Sequence, residues 1–161
     1  MKNRHLLTSS LFLLLILLSA TRGNAGTGSC ADDPATSCND TNTCNGATDC
    51  AIYISLDDTN RVVVSLQRSG THQPIICVAP GQTVNWTVAD ANSKFTVTFS
   101  STTTPFHHYI FNGSSGTPAS DSTTNLAAHK CVKYLVQECP QSKDCASLDP
   151  KIIVTGVKKK K

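Results

Sequence analysis

From residue 51 onward apolar and polar positions alternate along most of the chain. In "AIYISL", Ile52, Ile54 and Leu56 share a face, and after the turn "DDTN" so do Val62, Val64 and Leu66 of "RVVVSL", which predicts a hairpin. "IICVA" follows a loop. "APGQ" sets Pro80 and Gly81 at the centre of a type II turn. "TVNWTV" then places Val84, Trp86 and Val88 inward, with Asn85 and Thr87 outward. "KFTVTF" does the same with Phe95, Val97 and Phe99. "CVKYLVQE" aligns Val132, Tyr134 and Val136, and "KIIVTGV" closes the pattern. No stretch of helical length has a helical period; "TTNLAAHK" is a turn or two. Short strands between turn residues predict an all-β domain, a two-sheet antiparallel, Greek-key β-sandwich.

Two segments interrupt the alternation. Residues 26–50, "GTGSCADDPATSCNDTNTCNGATDC", carry almost no apolar side chains and cannot build a core, so covalent ties must order them. Residues 100–126 form a long connection rich in Ser, Thr and Gly; loops of that length in a compact domain are commonly functional.

The chain opens with Lys2, Arg4 and His5, the apolar run "LFLLLILL" (Leu11 to Leu18), and small residues Gly23 and Ala25. This is the layout of a secretory signal peptide, and the run is too short to span a bilayer. Cleavage after Ala25 is expected. The organisation is then a signal peptide at 1–25, an acidic Cys-rich segment at 26–50, a sandwich at 51–157 and a basic tail at 158–161. No later segment is apolar enough to be transmembrane.

Eight cysteines behind such a leader, Cys30, Cys38, Cys44, Cys50, Cys77, Cys131, Cys139 and Cys145, predict disulfides in an oxidising compartment, periplasmic or extracellular. No C-x₂-C pair occurs, which argues against zinc ribbons and fingers. Locality favours Cys139–Cys145 across a five-residue loop, the four N-terminal cysteines among themselves, and Cys77–Cys131 between core strands.

The net charge of +3 belongs to the whole chain. Three of the fourteen basic residues, Lys2, Arg4 and Arg22, precede the expected cut, and four more are Lys158 to Lys161, while all eleven acidic residues lie after it. The body is acidic. Nucleic-acid binding wants Lys and Arg clustered on the fold with aromatics between them, and that is absent.

"ICVAPGQTVNWTV", "KFTVTF" and "CVKYLV" followed by a loop and "DPKIIVTG" resemble the cupredoxin fold, the β-sandwich of the blue-copper proteins, over roughly Ile52 to Val157. The P-G-x-T-V-x-W turn and strand is the most specific element. Blue copper takes a His₂Cys set with a weak axial Met. The resemblance puts Phe95 at the first histidine, Cys139 at the cysteine, Ser142 at the second histidine and Ser147 at the methionine. A frame on Cys131 or Cys145 puts Tyr134 or Leu148 at the histidine. Met1 is the only methionine. The resemblance therefore implies the fold without a type 1 copper site, and no cofactor is expected.

"PFHHYIF" is the densest candidate for function, with Phe106, His107, His108, Tyr109 and Phe111 as binding-loop residues. On a strand the adjacent histidines would point to opposite faces. "CNDTNTCNGATDC" approaches a calcium loop, but Cys44 occupies an oxygen-ligand position, Gly46 comes one residue late and the terminal Glu is missing. Asn39, Asn85 and Asn112 head N-x-[ST] sequons. No G-x-S-x-G, H-E-x-x-H or phosphate-binding glycine loop is present. The expectation is a secreted or periplasmic binding or structural module, not an enzyme, for an extracellular or envelope ligand. The alternative is a copper or zinc carrier using His107 or His108 with His72 or His129 and nearby carboxylates.

Overall fold

Inward alternation of β-branched and aromatic residues makes strands that bury one face, and among the described residues there are twelve short strands and one turn of helix. A computed structural model of the protein describes residues 27–44, 49–68, 70–124, 128–141 and 144–156. The expected signal segment, the lysine tail and Asn125 to Ala127 of "TTNLAAHK" lie outside the described residues. The strands are β1 (Gly28–Ser29), β2 (Asp49–Leu56), β3 (Val62–Ser65), β4 (Ile75–Val78), β5 (Thr83–Val88), β6 (Ser93–Thr98), β7 (Ile110–Ser114), β8 (Ala119–Ser122), β9 (Cys131–Lys133), β10 (Leu135–Pro140), β11 (Ala146–Leu148) and β12 (Lys151–Val154). The one described helix is a single turn, α1 (Pro34–Ser37).

Three four-stranded arrays, in the orders β1-β9-β12-β4, β11-β10-β6-β7 and β3-β2-β5-β8, pack as a disulfide-rich β-sandwich. The first two share one run of chain. It divides at Tyr134, which lies between β9 and β10 and whose N–H donates to the Pro150 carbonyl at 3.1 Å. Pairing is mixed where simple antiparallel sheets were expected: β12 runs parallel to β4, and β2 parallel to β5. The turn at Pro80-Gly81 forms, with Gln82 N–H donating to the Ala79 carbonyl at 3.2 Å and Gly81 at φ 76°. That left-handed angle suits glycine.

Side chains of all three arrays meet in one core. Trp86 is its centre, with ring centroids of Phe111 at 4.7 Å, Phe106 at 5.1 Å and Phe99 at 6.2 Å, and Tyr134 stacks on Phe99 at 4.8 Å. Each such side chain contributes roughly 1.5–3 kcal/mol by burial. Burial pushes the Tyr134 phenol strongly up, with the Trp86 indole N–H beside it acting the other way.

Residues 100–126 differ from the featureless connection expected. They contain two strands, β7 on the edge of β6 and β8 on the edge of β5. The apolar alternation fails there because Phe111 is the one buried side chain of β7. At the next inward position, Gly113, the space is filled by the Phe95 ring. A Cβ there would lie 2.5 Å from Phe95 Cζ and 2.6 Å from the Thr117 carbonyl oxygen. Gly113→Ala is expected to cost about 1–3 kcal/mol through overpacking, read as a lower urea midpoint with an unchanged m-value.

The disulfides are Cys30–Cys131, Cys38–Cys77, Cys44–Cys50 and Cys139–Cys145. This corrects the expected Cys77–Cys131 bridge and the self-contained N-terminal set. Ile153 of β12 pairs with Cys77 on one side and Cys131 on the other, so an entire strand separates the two. Two strand spacings are roughly 9.6 Å, beyond the reach of a disulfide. Both cysteines instead face away from the main core with Ile153, and the N-terminal segment covers that face through Cys30 and Cys38. β1 pairs with β9, Asp33 Oδ1 caps α1 by accepting from Ala35 N–H at 2.9 Å, and Lys151 Nζ reaches Asp32 at 2.8 Å.

Candidate functional site

The segment between β6 and β7 is shaped by two aromatic anchors. Phe106 and Phe111 are both buried against Trp86, and Phe106 bridges to Thr123 beside β8. Four residues lie between the anchors. They arch over the core edge, tied at one side by Phe99 N–H donating to the Tyr109 carbonyl at 2.8 Å. His107, His108, Tyr109 and Ile110 are therefore presented to solvent. Tyr109 and Ile110, near half exposed, are the exposed large apolar side chains among the described residues. Of the five expected binding-loop residues, Phe106 and Phe111 belong to the core and His107, His108 and Tyr109 to the surface.

The two histidines do not point to opposite faces. They precede β7, off the strand, and both turn to one carboxylate. His107 Nδ1 lies 3.1 Å from Asp121 Oδ1, and His108 Nδ1 lies 3.0 Å from Asp121 Oδ2. Backbone N–H groups add to this: His108 donates to Oδ2 at 2.9 Å and Ser122 to Oδ1 at 2.7 Å. The Asp121 side chain is only 10% exposed, whereas the two rings are 62% and 76% exposed. Burial raises the pKa of Asp121, but the donors from His108, His107 and Ser122 outweigh it and hold the carboxyl below its ordinary value. An ionised carboxylate only accepts, so each Nδ1 carries the hydrogen. In the neutral rings each Nε2 is then a lone-pair donor atom. Neither Nε2 makes a hydrogen bond to the described residues.

His72 and His129 do not join this pair. His72 Nδ1 accepts from Val64 N–H at 3.3 Å, and burial lowers its pKa. His129, at φ 63°, packs its ring against Gly156. Among the described residues, the one trio of metal-type ligand atoms lying together is Cys30, Asp32 and Cys131, and its two sulfurs are bonded to each other.

Of the residues that the cupredoxin resemblance sets at the copper-ligand positions, Phe95 is buried with its ring over Gly113, Cys139 is bonded to Cys145, and Ser147 is exposed on β11. Ser142 lies outside the described residues. Asn39 and Asn42 of the calcium-like loop spend their side-chain carbonyls locally. Asn39 Oδ1 accepts from the Thr41 N–H and hydroxyl, and Asn42 Oδ1 accepts from Asn39 N–H. A separate polar cleft of about 570 Å³ opens where β3 ends, lined by Asp40, Thr43, Asp49, Leu66, Thr71 and Gln73 among others.

Glu138 is the unexpected ionisable group. It continues the inward face of Val136 on β10, opposite Phe95 and Ala146, and is fully buried. Neither carboxyl oxygen makes a hydrogen bond of normal geometry. Burial pushes its pKa up; the Ser93 hydroxyl acts the other way and the Asp90 carboxylate adds to the rise. The alternation of Val132, Tyr134 and Val136 pointed to this inward position. Asp121 had no such signal, since it meets the histidines only through the pairing of β8 with β5.

No protein-family model, curated protein or solved structure matches the chain.

Proposed function

We propose that the protein is a secreted or periplasmic, disulfide-stabilised, cupredoxin-like binding module whose working surface is the His107–Ile110 arch with Asp121 beneath it. The observation that carries this reading is the contrast within the arch. Two buried aromatics fix its ends, and a nearly buried carboxylate fixes both histidine rings, yet Tyr109 and Ile110 remain near half exposed beside them. Ordered, exposed aromatic and aliphatic groups next to oriented polar ones resemble the centre of a recognition patch. Four disulfides support an oxidising compartment. Among the described residues no helix is long and apolar enough to cross a membrane.

A photo-crosslinking residue in place of Tyr109, expressed in the native host, is expected to trap one discrete partner, and the same residue in place of exposed Lys133 is expected to trap none. Equal or more abundant adducts from position 133 would place the working surface elsewhere.

A further inference from the structure

We infer that His107 and His108 form a site for a divalent transition metal of the zinc–copper class, with Asp121 as the residue that positions both rings. The inference rests on the reading of this arch as the working surface, and names its ligand chemistry.

A metal-binding histidine commonly donates its second ring N–H to a carboxylate, which fixes the tautomer, orients the ring and makes the ligating nitrogen more basic. Here that arrangement occurs twice on a single carboxylate, through contacts of 3.1 and 3.0 Å. The shared carboxylate is itself held by two backbone N–H groups, so it is not free to swing out and replace the rings. Both Nε2 atoms are left as lone-pair donors on exposed rings.

The donor set also selects the ion. Calcium and magnesium take oxygen ligands. The Asp121 oxygens are already engaged by four N–H donors, so the arch has no carboxylate to offer a hard ion. Imidazole nitrogens suit zinc and copper, and Cu²⁺ binds a given nitrogen site more tightly than Zn²⁺. Two imidazoles fill only part of the coordination shell. Water, or a donor group from the molecule recognised beside Tyr109 and Ile110, completes it. The site is therefore open, in contrast to the closed four-ligand shells of structural zinc.

The test is titration of the mature, oxidised protein with CuCl₂ and with ZnSO₄, read by calorimetry, with electron paramagnetic resonance of the copper form. One equivalent is expected to bind, with nitrogen hyperfine structure from imidazole. His107→Ala/His108→Ala is expected to abolish that equivalent, while His72→Ala/His129→Ala leaves it unchanged. Asp121→Asn is expected to weaken it by roughly 10–100-fold with nitrogen ligation retained. Because both rings are exposed, far-ultraviolet circular dichroism of the variants should match the native protein. Binding that survives in His107→Ala/His108→Ala, or no binding by the native protein, overturns the inference. Either result leaves the crosslink from position 109 as a separate measurement, so loss of the metal and loss of the binding-module reading are distinguishable.

Discussion

Glu138→Gln is expected to flatten the pH dependence of stability and to leave the variant more stable than the native chain in the neutral range. Glu138 is fully buried on β10 among Phe95, Val136 and Ala146, with no hydrogen bond of normal geometry to either oxygen. Burial raises its pKa in the folded state. The folded chain therefore holds a proton that the unfolded chain releases. Stability from this group is complete below the unfolded glutamate value. It falls as pH rises, by up to about 1.4 kcal/mol per pH unit, and is fully lost above the raised folded value. Removing the ionisation removes that slope while keeping nearly the same volume. Urea unfolding of both proteins from pH 4 to pH 8 reads the difference. The native curve should decline relative to that of the variant as pH rises from the unfolded glutamate value to the raised folded value, and the two should converge at the acid end. Parallel curves would mean that the carboxyl is solvated in the folded protein.

The second large effect concerns the N-terminal cap. Cys30→Ser/Cys131→Ser is expected to lose about 4.7 kcal/mol, because that bridge spans a sequence separation of 101 and the entropy regained by the unfolded chain grows with loop size. Cys139→Ser/Cys145→Ser, with a separation of 6, is expected to lose about 2.4 kcal/mol. Equilibrium urea unfolding at one pH ranks the two. In the first variant Cys38–Cys77 still ties the N-terminal segment to β4 but its covalent tie to β9 is gone, so hydrogen exchange in β9 should accelerate there and not in the second. Equal losses from the two double variants would show that loop length does not set the contribution of these bridges.

Much of the sandwich was legible because burial leaves a period-two trace. Trp86, Val97 and Ile54 lie on inward faces assigned from alternation alone, and all are fully buried. The trace faded where the inward positions were not apolar. In β7 a single Phe111 faces inward and Gly113 leaves its place to the Phe95 ring, so two strands inside residues 100–126 went unread. It misled in the opposite sense at "PFHHYIF". Local composition grouped five candidate residues, but Phe106 and Phe111 turn into the core and leave the exposed positions between them.

Pairing across the sheets was not legible. Strand order puts β12 between the strands bearing Cys77 and Cys131, and a linear reading of cysteine spacing has no access to that order. The same holds for Asp121. It lies 14 residues after His107 and 13 after His108, with β7 and a turn between them. Only the docking of β7 and β8 along the two sheet edges brings the carboxylate beneath both rings.

By itself the sequence determined which faces are buried, where the chain turns and that cysteines must supply order at the N-terminus, since these follow from side-chain type at fixed local spacing. Only the tertiary structure decided which cysteines meet, which carboxylate serves the histidine pair and that Glu138 is buried with no hydrogen bond of normal geometry. Those depend on which strands become neighbours, a choice made by the whole core at once and by no segment of it alone.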